Sequence, residues 1–123
     1  MKSPRVALIV TAGLGAMLLS ACSDDSSNAA DTTVAVTATD ESCDLATTSV
    51  SAGVIQFDVT NDGTRTTEFY IYESDGETIV DEVEDITPAA KRSLTTELEA
   101  GSFEFACKPG GSGEGFRGTL NVT

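Results

Sequence analysis

The stretch FEFACKPGGSGEGFRG, residues 103–118, decides the fold. Phe103 and Phe105 alternate with Glu104 and Ala106, the period-two pattern of a strand with one buried face. That strand runs out at Cys107, and a loop carrying Gly110, Gly111, Gly113 and Gly115 follows. A cysteine at the lip of a sheet can ligate a metal, form half of a disulfide, or fill a small buried space.

Outward from this stretch the same pattern recurs. TVAVTAT (33–39), VIQFDVT (54–60), TEFYIYE (67–73), ETIVDEV (77–83), SLTTELE (93–99), SFEFAC (102–107) and GTLNVT (118–123) all read as strands, rich in β-branched and aromatic residues. Between them lie turn signals: Asn61-Asp62-Gly63, Ser74-Asp75-Gly76 and Ala100-Gly101. Only DITPAAK (85–91) suggests one helical turn. The pattern predicts an all-β, Greek-key β-sandwich of about seven to eight strands. Immunoglobulin-like and cupredoxin-like topologies both fit. The first usually packs a Trp on its disulfide, and this chain has none, which favours the cupredoxin-like one.

The first residues predict export. Lys2 and Arg5 precede an apolar run over residues 6–19, closed by Leu19-Ser20-Ala21-Cys22. A basic start, a short apolar stretch and a small-residue cleavage site describe a secretory signal over residues 1–21. Leu-Ser-Ala-Cys resembles the bacterial lipobox, which implies lipidation of Cys22 and a place on the outer face of a bacterial membrane. Residues 22–32 are polar and acidic and read as a flexible tether. Residues 33–123 then form one domain.

The whole chain carries 7 basic and 20 acidic residues. Without Lys2 and Arg5 the balance is 5 against 20, a formal charge of −15. So acidic a surface excludes nucleic acid and leaves the lipid anchor as the only membrane contact. Asp81, Glu82, Glu84 and Asp85 read as a solvated acidic edge, able to gather hard cations weakly. In TEFYIYE, Glu68 shares a face with Tyr70 and Tyr72, a solvent-facing position, whereas Phe69 and Ile71 take the core face.

The inventory of side chains excludes most chemistry. There is no His, and both methionines, Met1 and Met17, precede Cys22. A type 1 copper site needs two His, a Cys and a weak axial ligand, so none can be built. Nucleophile pairs that depend on His are equally absent. Cys43 and Cys107 remain. Outside the cytoplasm such a pair forms a disulfide or, as thiolates, holds a soft metal ion. Glu114, in the glycine loop, is an outlying candidate ligand.

ESCDL (41–45), SAGVIQFDVTNDGTRTTEFYI (51–71), DEVEDITPAAKRSL (81–94) and GSFEFACKPG (101–110) occur in that order. Together they resemble the cupredoxin-like N-terminal domain of EfeO-type bacterial iron-uptake proteins. The resemblance implies a metal site (iron or copper) formed by Cys43, Glu68 and Cys107, and an iron-uptake permease or M75-type partner. Relatives often carry Met after Lys-Pro-Gly, where this chain has Gly111, and the chain is expected to lack their C-terminal M75/imelysin-like domain. The alternative is a disulfide-stapled interaction or structural module of the cell envelope, without metal. Both readings are non-catalytic.

Overall fold

A computed structural model describes residues 29–123; the signal stretch and Cys22 lie outside the described residues. Nine strands form two sheets: β1 (Thr32–Ala38), β2 (Cys43–Leu45), β3 (Ser49–Val50), β4 (Gly53–Asn61), β5 (Thr67–Tyr72), β6 (Ile79–Ile86), β7 (Lys91–Leu98), β8 (Gly101–Cys107) and β9 (Phe116–Val122). One sheet has the order β2-β1-β4-β7 and the other β3-β9-β8-β5-β6. The all-β sandwich expected from the sequence is therefore present. β2 and β3 are additions, too short to show a period. The anticipated helical turn at 85–91 is absent. Ile86 instead closes β6, and Lys91 opens β7 after a tight turn whose Ala90 amide donates to the Thr87 carbonyl (2.9 Å).

Alternation sets the core. Ile55, Phe57 and Val59 of β4 face Phe69 and Ile71 of β5, Phe105 of β8 and Leu120 of β9 across the inter-sheet space, each at most 5 % exposed. Phe57 and Phe69 meet at 5.4 Å between ring centroids, tilted by 47°. β1 runs parallel to β4 over Thr32↔Ile55 to Ala38↔Asn61, and short β3 runs parallel to β9. The chain achieves this by crossing between sheets through β2 and β3, as adjacent parallel strands cannot be joined by a hairpin.

Asn61 ends β4 and is only 1 % exposed. Its Nδ2 donates to the Arg65 and Ile86 carbonyls (both 2.8 Å), and its Oδ1 accepts from the Gly63 amide (2.8 Å). Asp40 accepts from the Thr64 hydroxyl (2.6 Å) and amide (3.0 Å). These contacts fix the 62–66 loop, and so the point where β5 enters the second sheet beside Cys107.

Candidate metal and partner sites around Cys107 and Glu68

Cys107 is the last residue of β8, opposite Phe69 of β5 and Phe116 of β9. Its neighbour across the sandwich is Cys43, which opens β2 opposite Ala38. The two form a disulfide with Cα atoms 5.4 Å apart, linking the two sheets across 64 residues of sequence. That separation lies within the range a disulfide spans. Of the two chemistries open to the pair, the structure holds the disulfide. Cys107 is fully buried and Cys43 half-buried.

The loop after Cys107 is held by backbone contacts to β5. Lys108 N donates to Glu68 O (2.9 Å) and Gly110 N to Thr66 O (2.8 Å). Gly115 is in the left-handed region (φ 69°), and a Cβ there would collide with the Cys107 carbonyl, so the return into β9 requires glycine. A Cβ on Gly111 would sit 3.2 Å from Glu68 Oε1, so glycine lets the loop close on that carboxylate.

Glu68 lies on the outer face of the second sheet. Phe69, its neighbour, pairs with Cys107 and packs in the core, so the side chains of Glu68 and Cys107 leave the sheet on opposite sides. The Cys43, Glu68, Cys107 set is thus not brought together. Among the described residues no three His, Cys, Asp or Glu converge as a metal-binding group.

Glu68 shares its face with Tyr70 and Tyr72, as alternation predicts, but that face is covered rather than open. Tyr70 and Tyr72 are 7 % and 3 % exposed and stack at 5.5 Å with rings 9° from parallel, beside fully buried Ala106. Lys108 Nζ lies 4.4 Å from the Tyr70 ring centroid, and the Arg117 guanidinium lies 4.7 Å from that of Tyr72. Arg117 is anchored by donating to the Gly76 carbonyl (2.8 Å), Glu104 Oε1 (2.9 Å) and the Glu114 carbonyl (2.7 Å). Such cation–aromatic contacts explain why a strand face of polar-tipped residues is dry. The sequence signal was two tyrosines at i and i+2 with basic residues flanking the glycine loop.

The Tyr70 hydroxyl donates to Glu68 Oε2 at 2.6 Å. Burial, then the bond to Glu68 and its charge, push the phenol well above its ordinary range. Across the register, Tyr70 faces Glu82 of β6, the edge strand of its sheet. Repulsion from Glu82, then Glu68, raises the Glu84 carboxyl above its ordinary value. The acidic edge anticipated at 81–85 is therefore real, and Glu68 joins it. Glu114 is 90 % exposed at its side chain and lies 3.4 Å from Arg117. Sequence reasoning missed Thr67, whose hydroxyl is buried without a partner at the start of β5.

A profile of the cupredoxin-like domain family matches residues 9–122. The iron uptake system component EfeO of Escherichia coli K12 is 36 % identical over 81 residues, 65 % of this chain and 21 % of EfeO; that of Shigella flexneri matches equally. The chain thus spans about a fifth of the length of these curated relatives. Auracyanin B superposes with a TM-score of 0.63 at 18 % identity, covering 77 % of this chain and 91 % of auracyanin. Rusticyanin from Thiobacillus ferrooxidans gives 0.59 at 17 %, covering 77 % and 79 %. At such identities the likeness is one of fold. Rusticyanin is a copper protein, but the donors here do not fit copper: among the described residues the two sulfurs, of Cys43 and Cys107, are bonded to each other, and the chain has no His.

Proposed function

The chain belongs to the cupredoxin-like domain family, and on that premise we propose that it is an extracytoplasmic, non-catalytic accessory domain of a bacterial iron-uptake system. It is exported, cleaved before Cys22 and lipid-anchored through that residue, on the outer face of a bacterial membrane. The observation that carries the reading is its 36 % identity to EfeO over 81 residues, 65 % of this chain. The disulfide takes the place of a resident metal: Cys43 and Cys107 staple the two sheets.

Iron in this reading is cargo and not a cofactor. It is gathered loosely by the acidic edge of β6, where Glu82 and Glu68 repel the Glu84 carboxylate and, among the described residues, no three carboxylates converge as a fixed site. Carboxylate oxygens suit hard ions. A loose set of surface carboxylates concentrates iron and releases it readily, as an accessory to a permease or M75-type partner must.

Deleting the gene should lower uptake of radiolabelled iron by iron-starved cells, and the wild-type gene should restore it. Glu68→Gln with Glu82→Gln should restore it only in part. Uptake unchanged by the deletion would sink the proposal. Loss of membrane association on Cys22→Ser tests the anchor separately.

A further inference from the structure

We infer that the mouth of the sandwich opposite the disulfide is a docking groove for a protein segment carrying lysine or arginine among apolar side chains. The groove is open, about 670 Å³, with a floor of Val80, Leu98 and Phe103 and a rim that includes Glu73, Glu97 and Glu99. Val80 is the half-exposed part of the floor, and Leu98 and Phe103, 2 % and 9 % exposed, back it from the core; β7 and β8 are joined by only Glu99 and Ala100, too short a turn to fold over the mouth. Gly101 adds no side chain either; a Cβ there would stand 3.9 Å from the Phe103 ring.

The rim charge has no internal answer. No lysine or arginine lines the groove, and among the described residues none forms an ion pair with Glu73, Glu97 or Glu99. The groove on the outer face beside Tyr72 differs in this respect, because its Glu104 and Glu114 are paired with Arg117. An apolar floor under an uncompensated anionic rim selects a particular occupant. A bare cation would leave the floor unused, and an anionic lipid surface would be repelled by the rim. A basic side chain lays its methylenes on apolar surface while its charge meets carboxylates, and neighbouring apolar residues fill the floor.

Position adds to the argument. Leu98 pairs with Gly53 and Gly101 with Val122, so the groove adjoins both ends of the folded domain. Asp31 is bonded to Val54, and Thr123 to Ala52, at that same end. The seven residues of β8 place it about 20 Å from Cys107. On the anchored reading proposed above, the groove faces the membrane, where segments of a membrane-embedded partner lie; the groove's own chemistry does not depend on that reading.

The test uses purified full chain in the presence of a metal chelator, so that its failure leaves the iron reading untouched. A dye-labelled peptide Lys-Leu-Lys-Phe-Lys is titrated by fluorescence anisotropy, with Lys-Ser-Lys-Ser-Lys as the equally charged control. Glu97→Gln with Glu99→Gln should weaken the first peptide about 4–25-fold, from roughly 2–5-fold per surface ion pair. Glu82→Gln with Glu84→Gln, the same change in net charge on the β6 edge, should alter it less than about twofold. Amide NMR shifts should centre on Val80, Leu98 and Phe103. Equal loss in both variant pairs, equal affinity for the serine peptide, shifts confined to β6, or binding of phosphatidylcholine vesicles instead of the peptide would each overturn the inference.

Discussion

Breaking the Cys43–Cys107 bridge is the most informative perturbation of this domain. The bridge closes a separation of 64 residues, and chain entropy for a loop of that size corresponds to about 4 kcal/mol. A small domain has about 5–15 kcal/mol in total, so the reduced domain should remain folded but near its limit. At about 4–8 °C per kcal/mol for a domain of this size, Tm should fall by about 15–30 °C. Two routes separate the bridge from the side chains. Reduction by dithiothreitol changes no residue, whereas Cys43→Ser with Cys107→Ala prevents re-oxidation without placing a hydroxyl in the core. Melting followed by far-UV circular dichroism, with tyrosine emission as a second probe because the chain has no Trp, reads the loss. Alkylation and mass spectrometry first establish that the untreated protein has no free thiol at either position. A fall in Tm under about 5 °C by both routes would refute the staple. So would a reduced domain that regains its full Tm on adding iron or Cu(I), because the thiols would then be ligands by function.

The remaining expectations are narrower. Tyr70→Phe removes the 2.6 Å bond to Glu68; it should cost about 1 kcal/mol and abolish, in an ultraviolet titration, the phenol that resists ionisation beyond the ordinary value near 10. Gly115→Ala must hold alanine at φ 69° against the Cys107 carbonyl, so urea unfolding should show a loss of at least about 1–2 kcal/mol. Thr67→Val replaces a buried hydroxyl that has no partner and should be neutral or stabilising by up to about 1 kcal/mol in the same assay. Glu84 is raised by Glu82 and Glu68, so its charge opposes folding at neutral pH and the penalty fades as pH falls through its folded value. Glu84→Gln should therefore raise Tm at pH 7 and leave it unchanged near pH 3. Asp40, Asp58 and Asp75 act in the opposite sense. Hydrogen bonds, chiefly from Thr64, Ser93 and Thr78, hold them below 3.8, so their support is full above that value and is lost as pH falls through the folded values. Acid melts of Asp40→Asn should accordingly converge on those of the wild type.

The core was legible because alternation is local. Phe57, Phe69, Ile71, Phe103 and Phe105 announce their face through their neighbours two positions away, and burial follows. Alternation also placed Glu68 beside Tyr70 correctly. What it does not carry is which strand lies over which. The meeting of Cys43 with Cys107 depends on β2 crossing above the end of β8, and β2 has only three residues. The cover over Tyr70 and Tyr72 comes from Lys108 and Arg117, 38 and 45 positions along the chain from Tyr70 and Tyr72 respectively. Asn61 looked like part of a turn, and so it is, but its burial depends on the Ile86 carbonyl from another strand. The proposed ligand set failed to assemble for a reason that parity contains: Glu68 and Phe69 are adjacent, and only one of two adjacent strand residues can share a face with Cys107.

The charged rim of the second sheet bears on behaviour at high density. A sandwich has open strand edges, and an edge of unpaired amides and carbonyls is a template on which another copy can add a strand. β6 is such an edge, eight residues long, and copies held side by side on a surface would meet along it often. Its Asp81, Glu82, Glu84 and Asp85 set like charges face to face in any such pairing, and the left-handed Asp85 (φ 55°), beside a shift of register against β5, bends the edge out of line. The residues that make the domain so acidic therefore also keep crowded neighbours from zipping into a continuous sheet.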